Sequence, residues 1–201
     1  MTPKVGVGPV RREQIVHATI RCLAREGYAG LTMKKVAREA AVSQGILHYY
    51  FASKRAILIG ALDVVMGDLD RRVAALSEGA RDARGRFRAV IRGCLGLAED
   101  SREFWVVFVE FWGEMLHDRR LRDVNAEVYT RTRRLIGRLI AEGVTRGRFR
   151  SVDPARAAAV VLGLVDGISL QLTFDPKAFG LAEAARFCDD ALARYLAKET
   201  S

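Results

Sequence analysis

Cysteine and proline are scarce in this chain: three and four residues respectively in 201. The thiols, Cys22, Cys94 and Cys188, are far apart and sit in apolar stretches. That excludes a disulfide scaffold and a cysteine-based zinc site, and predicts reduced thiols in the core. Histidine is equally sparse. His17, His48 and His117 show no metal-ligand spacing. The glycine and serine signatures of common enzymes are missing too: no G-x-S-x-G, no phosphate loop, no G-x-G-x-x-G and no H-E-x-x-H. These absences predict a protein that is not an enzyme and uses no cofactor. Nowhere does polarity alternate with period two for long, so no sheet is expected. No long apolar run is uninterrupted. The most apolar stretch, 157–174, has Asp166 in its middle, where a bilayer would penalise it. The opening residues, MTPKVGVGPVRR, contain no apolar signal segment. A soluble cytoplasmic protein, with no membrane partner, is the expectation.

What is present is apolar content and positive charge. Half of the residues are hydrophobic, enough for one large domain or two small ones with a real core. The formal net charge is +9. It is concentrated: residues 1–60 hold ten Lys or Arg against three Glu, a net +7. The remaining 141 residues hold 23 basic and 21 acidic groups, only +2. A basic third that meets a polyanion, and a near-neutral remainder with another task, is the implied division.

Glycine, proline and capping residues cut the chain into helices, so the fold class is all-α with about nine of them. The first runs from about Arg11 to Glu26 with Ile15, Ala18, Cys22 and Leu23 inward, and Gly27 stops it. Thr32 caps a short second helix with Met33, Val36, Ala37 and Ala40 on one face. After a break at Ala41-Val42, Ser43 caps a third, from Gln44 to about Phe51. A long fourth helix begins at Lys54. Further helices are expected over about 84–99, 101–117, 121–145, 154–173 and 181–197, with Gly143 and Gly147 as stops and Asp153-Pro154 as a start. The second and third helices, joined by a turn of a few residues, form a helix-turn-helix. One helix braces on the phosphate backbone and the next lays its outer face in the major groove. Small Ala40 and Ala41 let the two helices approach, and Val42 plugs the turn. Leu47, Tyr50 and Phe51 pack inward; Gln44, Gly45, His48 and Tyr49 face out.

Residues 11–58, RREQIVHATIRCLAREGYAGLTMKKVAREAAVSQGILHYYFASKRAIL, resemble the tetracycline-repressor (TetR) family of bacterial regulators. Gly27, Thr32, Val36-Ala37, Val42-Ser43, Gly45, Tyr50-Phe51 and Lys54 carry the match; Ala41 departs from it, since the family usually has glycine there. The resemblance implies a helix-turn-helix DNA-binding domain at 1–55 and a helical domain at 56–201 for ligand binding and dimerisation. It also implies a homodimer through the last two helices, on a near-palindromic double-stranded DNA operator, with a small-molecule effector. By family position Thr32, Lys34, Lys35 and Lys54 stand where phosphates are held, with Ser43 capping the reading helix. Gln44 and His48 are the base-reading candidates, since glutamine can bond bidentately to adenine. Tyr49 offers a hydroxyl to phosphate and Gly45 permits close approach. Lys4, Arg11 and Arg12 can form a basic arm.

The segments PKVGVGPVRREQIVHAT and FWVVFVEFWGEMLHDRRLRDVN are also similar to choline-responsive repressors of glycine-betaine synthesis. In the second segment Trp105, Phe108 and Trp112 share a helical face, with Phe111 beside them. Composition alone reads this as core packing. The sharper reading is an aromatic box for a quaternary ammonium, completed by Tyr129 and an acid: Glu110, Glu114 or Asp166. Asp166 has a rival reading as a structural or interface residue. A different hydrophobic or aromatic effector, and a DNA-binding protein without any ligand, are the alternatives. Against the latter stand 141 further residues with clustered aromatics.

Overall fold

The computed structural model describes residues 7–80, 82–96, 109 and 111–198. Its helices are α1 (Val7–Gly30), α2 (Met33–Glu39), α3 (Gln44–Tyr50), α4 (Lys54–Glu78), α5 (Ala83–Gly96), a helical stretch at 111–115 (α6), α7 (Arg119–Thr145), α8 (Pro154–Phe174) and α9 (Leu181–Leu196). Among the described residues there is no strand. Much of the helix expected over 101–117, with Phe104, Trp105, Phe108 and Glu110, lies outside the described residues.

The chain forms two compact units, one from 1–68 with 103–124, the other from 69–102 with 125–201. The cuts fall inside α4 and α7, whereas the resemblance put the boundary at 55/56. Residues 111–124 join the first unit because Phe111, Met115 and Leu121 bury themselves in its core with Ile15, Leu23, Leu47, Phe51 and Leu58.

In the first unit α1 turns Ile15, Val16, Ala18, Thr19, Cys22 and Leu23 inward. The one polar member, Thr19, donates its hydroxyl hydrogen to the Ile15 carbonyl at 2.9 Å, so its burial leaves no polar atom unpaired. Helical backbone breaks at Gly27, at φ 68°, a conformation that glycine adopts without steric cost. The caps act as expected. Thr32 Oγ1 accepts from the Lys35 N–H at 3.3 Å, and Ser43 Oγ from the Ile46 N–H at 3.2 Å. Between them Ala40 is buried, but Ala41 is exposed and does not mediate helix approach. Its φ is 52°, the one positive φ of a non-glycine residue among those described. The Val42 N–H then returns to the Ala37 carbonyl at 2.9 Å and ends α2. An alanine there carries a left-handed penalty of about 1 kcal/mol. Ala41→Gly is therefore expected to raise the melting temperature by about 2–4 °C, measured by circular dichroism. An unchanged or lower value would mean that the gain in unfolded-chain entropy offsets the relief.

The second unit packs α5, α8 and α9 together. Its core includes Phe87, Ile91, Leu95, Ile136, Ile140, Val161, Val165, Cys188 and Leu192. Asp153 caps α8, accepting from the N–H groups of Ala155 (2.8 Å) and Arg156 (3.2 Å), and Pro154 occupies the first turn. α7 ends where expected, but Gly143 lies within it rather than at its stop. The helix runs on to Thr145, and a Cβ at 143 would lie 2.1 Å from the Phe149 ring, so glycine is needed for that close approach. Gly147, at φ 65°, supplies the turn instead. Opposite its buried side, α8 exposes Val160 (51%) and Phe174 (71%), and a Cβ at Gly163 or Gly167 would meet nothing within 4 Å. Phe187 on α9 is exposed as well. Mean hydropathy over α8 reaches 1.7, and by length and composition alone this helix could cross a membrane. The same composition suits a helix apolar on all sides whose inner side, Ala157 to Ser169, is buried in a protein core.

Candidate functional site

The first unit presents α3 outward. Leu47 is its one buried residue, and Gln44, Gly45, His48 and Tyr49 are exposed, Tyr49 at 84%. Gln44 and His48 stand one turn apart on the same face. A Cβ at Gly45 would meet only Ser43 Oγ, at 3.9 Å. Packing within the subunit does not require glycine there, which leaves a flat surface between the candidate readers. The Tyr49 and Tyr50 rings meet edge to face with centroids 5.1 Å apart.

The basic groups around α3 divide into two sets. Several are engaged inside the unit. Arg21 and Arg25 reach Glu39 at 2.9 and 3.0 Å and join α1 to α2. Those hydrogen bonds, Arg21's foremost, hold the Glu39 carboxyl below the usual range. Lys35 pairs with Glu26 and donates to the Gly30 carbonyl at 2.9 Å. Lys54 donates to the Tyr28 carbonyl, and its ammonium lies 3.5 Å from the Tyr28 ring centroid. Burial, helped by the Glu114 carboxylate, raises the Tyr28 phenol, which hydrogen-bonds that carboxylate. Glu114, one of three acids considered for a cation, is thus committed within this unit. Lys34 and Arg38 form the other set. Both are exposed, one turn apart on α2, with no ion pair among the described residues. Arg38 was not singled out from sequence, although its i+4 spacing from Lys34 is visible there.

The aromatic and acidic candidates divide between the units. Phe111 is 3% exposed in the core of the first unit, and Trp112 packs half-buried against that core. Tyr129 on α7 and Asp166 on α8 belong to the second, where the Tyr129 hydroxyl donates to Asp166 Oδ2 at 2.9 Å. Burial drives the Asp166 carboxyl up, with the Tyr129 hydrogen bond opposing it. Burial and the Asp166 charge push the Cys94 thiol of α5 up to about 12, leaving it protonated and inert. The guanidinium of Arg133 stands 6.0 Å from the Tyr129 ring. A half-buried carboxylate held by a phenol, with no ion pair among the described residues, is what a cationic guest would stabilise.

Similarity to known proteins follows the same two-part division. Residues 15–61 match the family model of bacterial regulatory proteins, tetR family. Residues 83–197 match that of the BetI-type transcriptional repressor, C-terminal. The HTH-type transcriptional regulator BetI of Paraburkholderia phytofirmans is 30% identical over 97% of this chain and 98% of its own length. That of Burkholderia thailandensis is 32% identical over 97% and 98%. Among solved structures, a transcriptional regulator from Saccharomonospora viridis in complex with choline superposes with a TM-score of 0.84. It is 26% identical, over 95% of this chain and 100% of that one. A regulator from Pseudomonas aeruginosa, 23% identical with a TM-score of 0.82 over 93% and 90%, shares the fold.

Proposed function

Because the chain belongs to the tetR family of bacterial regulatory proteins, with a BetI-type C-terminal domain, we propose that it is a homodimeric, cytoplasmic repressor that responds to a small quaternary ammonium compound. The observation that carries the DNA half is the outward face of α3, where Gln44 and His48 flank a glycine that packing does not need. Gln44 and His48 read base edges, and Tyr49 reaches phosphate. Lys34 and Arg38 neutralise phosphates from α2. Lys35 and Lys54 act through the end of α1, which their ammonium groups hold in place. The bare side of α8, with Phe187 of α9, supports pairing of two subunits. The choline complex of the Saccharomonospora viridis regulator and the Tyr129–Asp166 pair support the effector class. The ligand controls DNA binding only through unequal affinity for two states of the dimer.

Gel-shift titration against the DNA upstream of the gene, with and without choline, tests this. Choline should change operator affinity. Gln44→Ala should alter sequence preference. Lys34→Ala and Arg38→Ala should weaken binding to every sequence, each lowering the salt slope by about 1 per phosphate contact in each half-site. A chain that binds no specific DNA, or variants that all behave as wild type, would refute the assignment.

A further inference from the structure

Two helices, α4 and α7, begin in the first unit and end in the second. Their starts are joined inside the first unit. Arg55 Nη1, in the first turn of α4, lies 3.4 Å from Oδ2 of Asp118, the residue before α7. Each side of this ion pair is tied to its own helix. Asp118 Oδ1 accepts from the N–H groups of Arg120 (2.9 Å) and Leu121 (3.1 Å). The carboxylate thus caps α7 with one oxygen and takes Arg55 with the other. The Leu121 N–H foremost, then Arg55 and the Arg120 N–H, outweigh burial and hold the Asp118 carboxyl below its ordinary range.

On the other side, Ser53 Oγ accepts from the Ala56 N–H at 3.2 Å and fixes the first turn of α4. Residues 51–53 alone separate that helix from α3, and Phe51 among them is buried in the core that also holds Leu47 and Leu58. A shift at the start of α4 is therefore passed to the reading helix, because the connection is too short and too well anchored to absorb it. In the other direction, Tyr129 stands about three turns beyond Asp118 along α7. A second polar link of the 111–124 segment, from Glu114 to the Tyr28 phenol, reaches α1 and not α4.

We infer that Asp118 is a positioning residue for DNA reading: through Arg55 it couples the first turn of α7 to the start of α4, and so to α3, and the pair holds in one of the protein's two states and breaks in the other. Asp118 acts through Arg55 and contacts neither base nor effector. Both side chains are partly exposed, so losing the pair changes the balance of states by a modest factor. This rests on the proposed response to a quaternary ammonium compound and adds the residues that carry that response to α3.

The test is a double-mutant cycle on the full-length protein, with choline as the probe. Asp118→Asn keeps a capping oxygen but turns an N–H donor toward Arg55, and Arg55→Gln removes the charge on the other side. The choline concentration at half-response is read by gel shift at saturating operator, where it follows the balance between the two states. Each single variant should move it about twofold to fivefold in the same direction, and the double variant no further. Arg55→Lys, which keeps the charge, should stay near wild type. Melting temperature is read alongside. A merely structural pair would lower it and leave the choline midpoint in place, which would overturn the inference, as would shifts that multiply in the double variant. A loss of operator affinity confined to Arg55 variants would assign that side chain to phosphate and overturn it too. If choline leaves the wild-type complex unaffected, the effector reading fails, and the cycle in operator affinity decides the pair alone. Equal shifts in the single and double variants would then support it, and unchanged affinity would overturn it.

Discussion

Gly163→Arg is expected to convert the proposed dimer to a monomer and to lower operator affinity by roughly a hundredfold to ten-thousandfold. The size of the effect comes from symmetry. Two recognition helices on one rigid dimer bind a palindrome as linked events, and a monomer keeps only one half-site. The choice of residue comes from α8. A Cβ at 163 would meet nothing within 4 Å in the subunit, so the isolated fold offers the start of a side chain open space. Replacing a helical glycine also gains about 1 kcal/mol of helix propensity. Arginine would, however, project from the side that bears Val160, Gly167 and Phe174, and would be buried without a partner if two such sides met. Sedimentation would show the halved mass and gel shifts the lost affinity, with helicity retained. A variant that sediments as wild type would place the interface elsewhere; a monomer with full affinity would dissociate dimerisation from DNA binding.

Local signals made the first unit the more legible one. Thr32 and Ser43 are caps because a short side-chain oxygen reaches a nearby N–H, and such contacts are written in adjacent residues; Asp153 shows the same signal in the second unit. The outward set on α3 was readable for a similar reason: a helix of seven residues with Leu47 inward leaves few choices for its other face. Contacts between distant segments were not readable. Nothing near Lys54 in sequence announces the Tyr28 carbonyl that it holds, and nothing near Lys35 favours Glu26 over solvent. Gly143 looked like a stop because the ring that needs its bare Cα, Phe149, arrives only after the chain has turned back. Phe111 shared one aromatic segment with Trp105, yet its ring is taken by the core of the first unit.

Asp166→Asn is expected to weaken choline binding by roughly a hundredfold or more and at the same time to make the protein more resistant to heat near neutral pH. The first effect follows from removing the charged partner of a desolvated cation, typically about 2–5 kcal/mol. The second follows from the raised carboxyl of Asp166, which burial causes and the Tyr129 bond only partly offsets. The sign is fixed by linkage. With a folded value above the unfolded one, the unfolded chain gives up its proton first as pH rises. The stability associated with the protonated acid is complete below the unfolded value near 3.8. It is lost as pH climbs to the raised folded value, and stays lost above it. An amide cannot ionise and still accepts from the Tyr129 hydroxyl, so the variant escapes that loss. Thermal melts of both proteins should therefore converge below about pH 4 and separate above it, the variant melting higher. Choline should narrow the gap in wild type, because the bound cation lowers the Asp166 carboxyl and restores what ionisation removed. A variant that melts lower at neutral pH would show that the carboxylate holds the α7–α8 pair together; one that binds choline as wild type does would move the cation elsewhere.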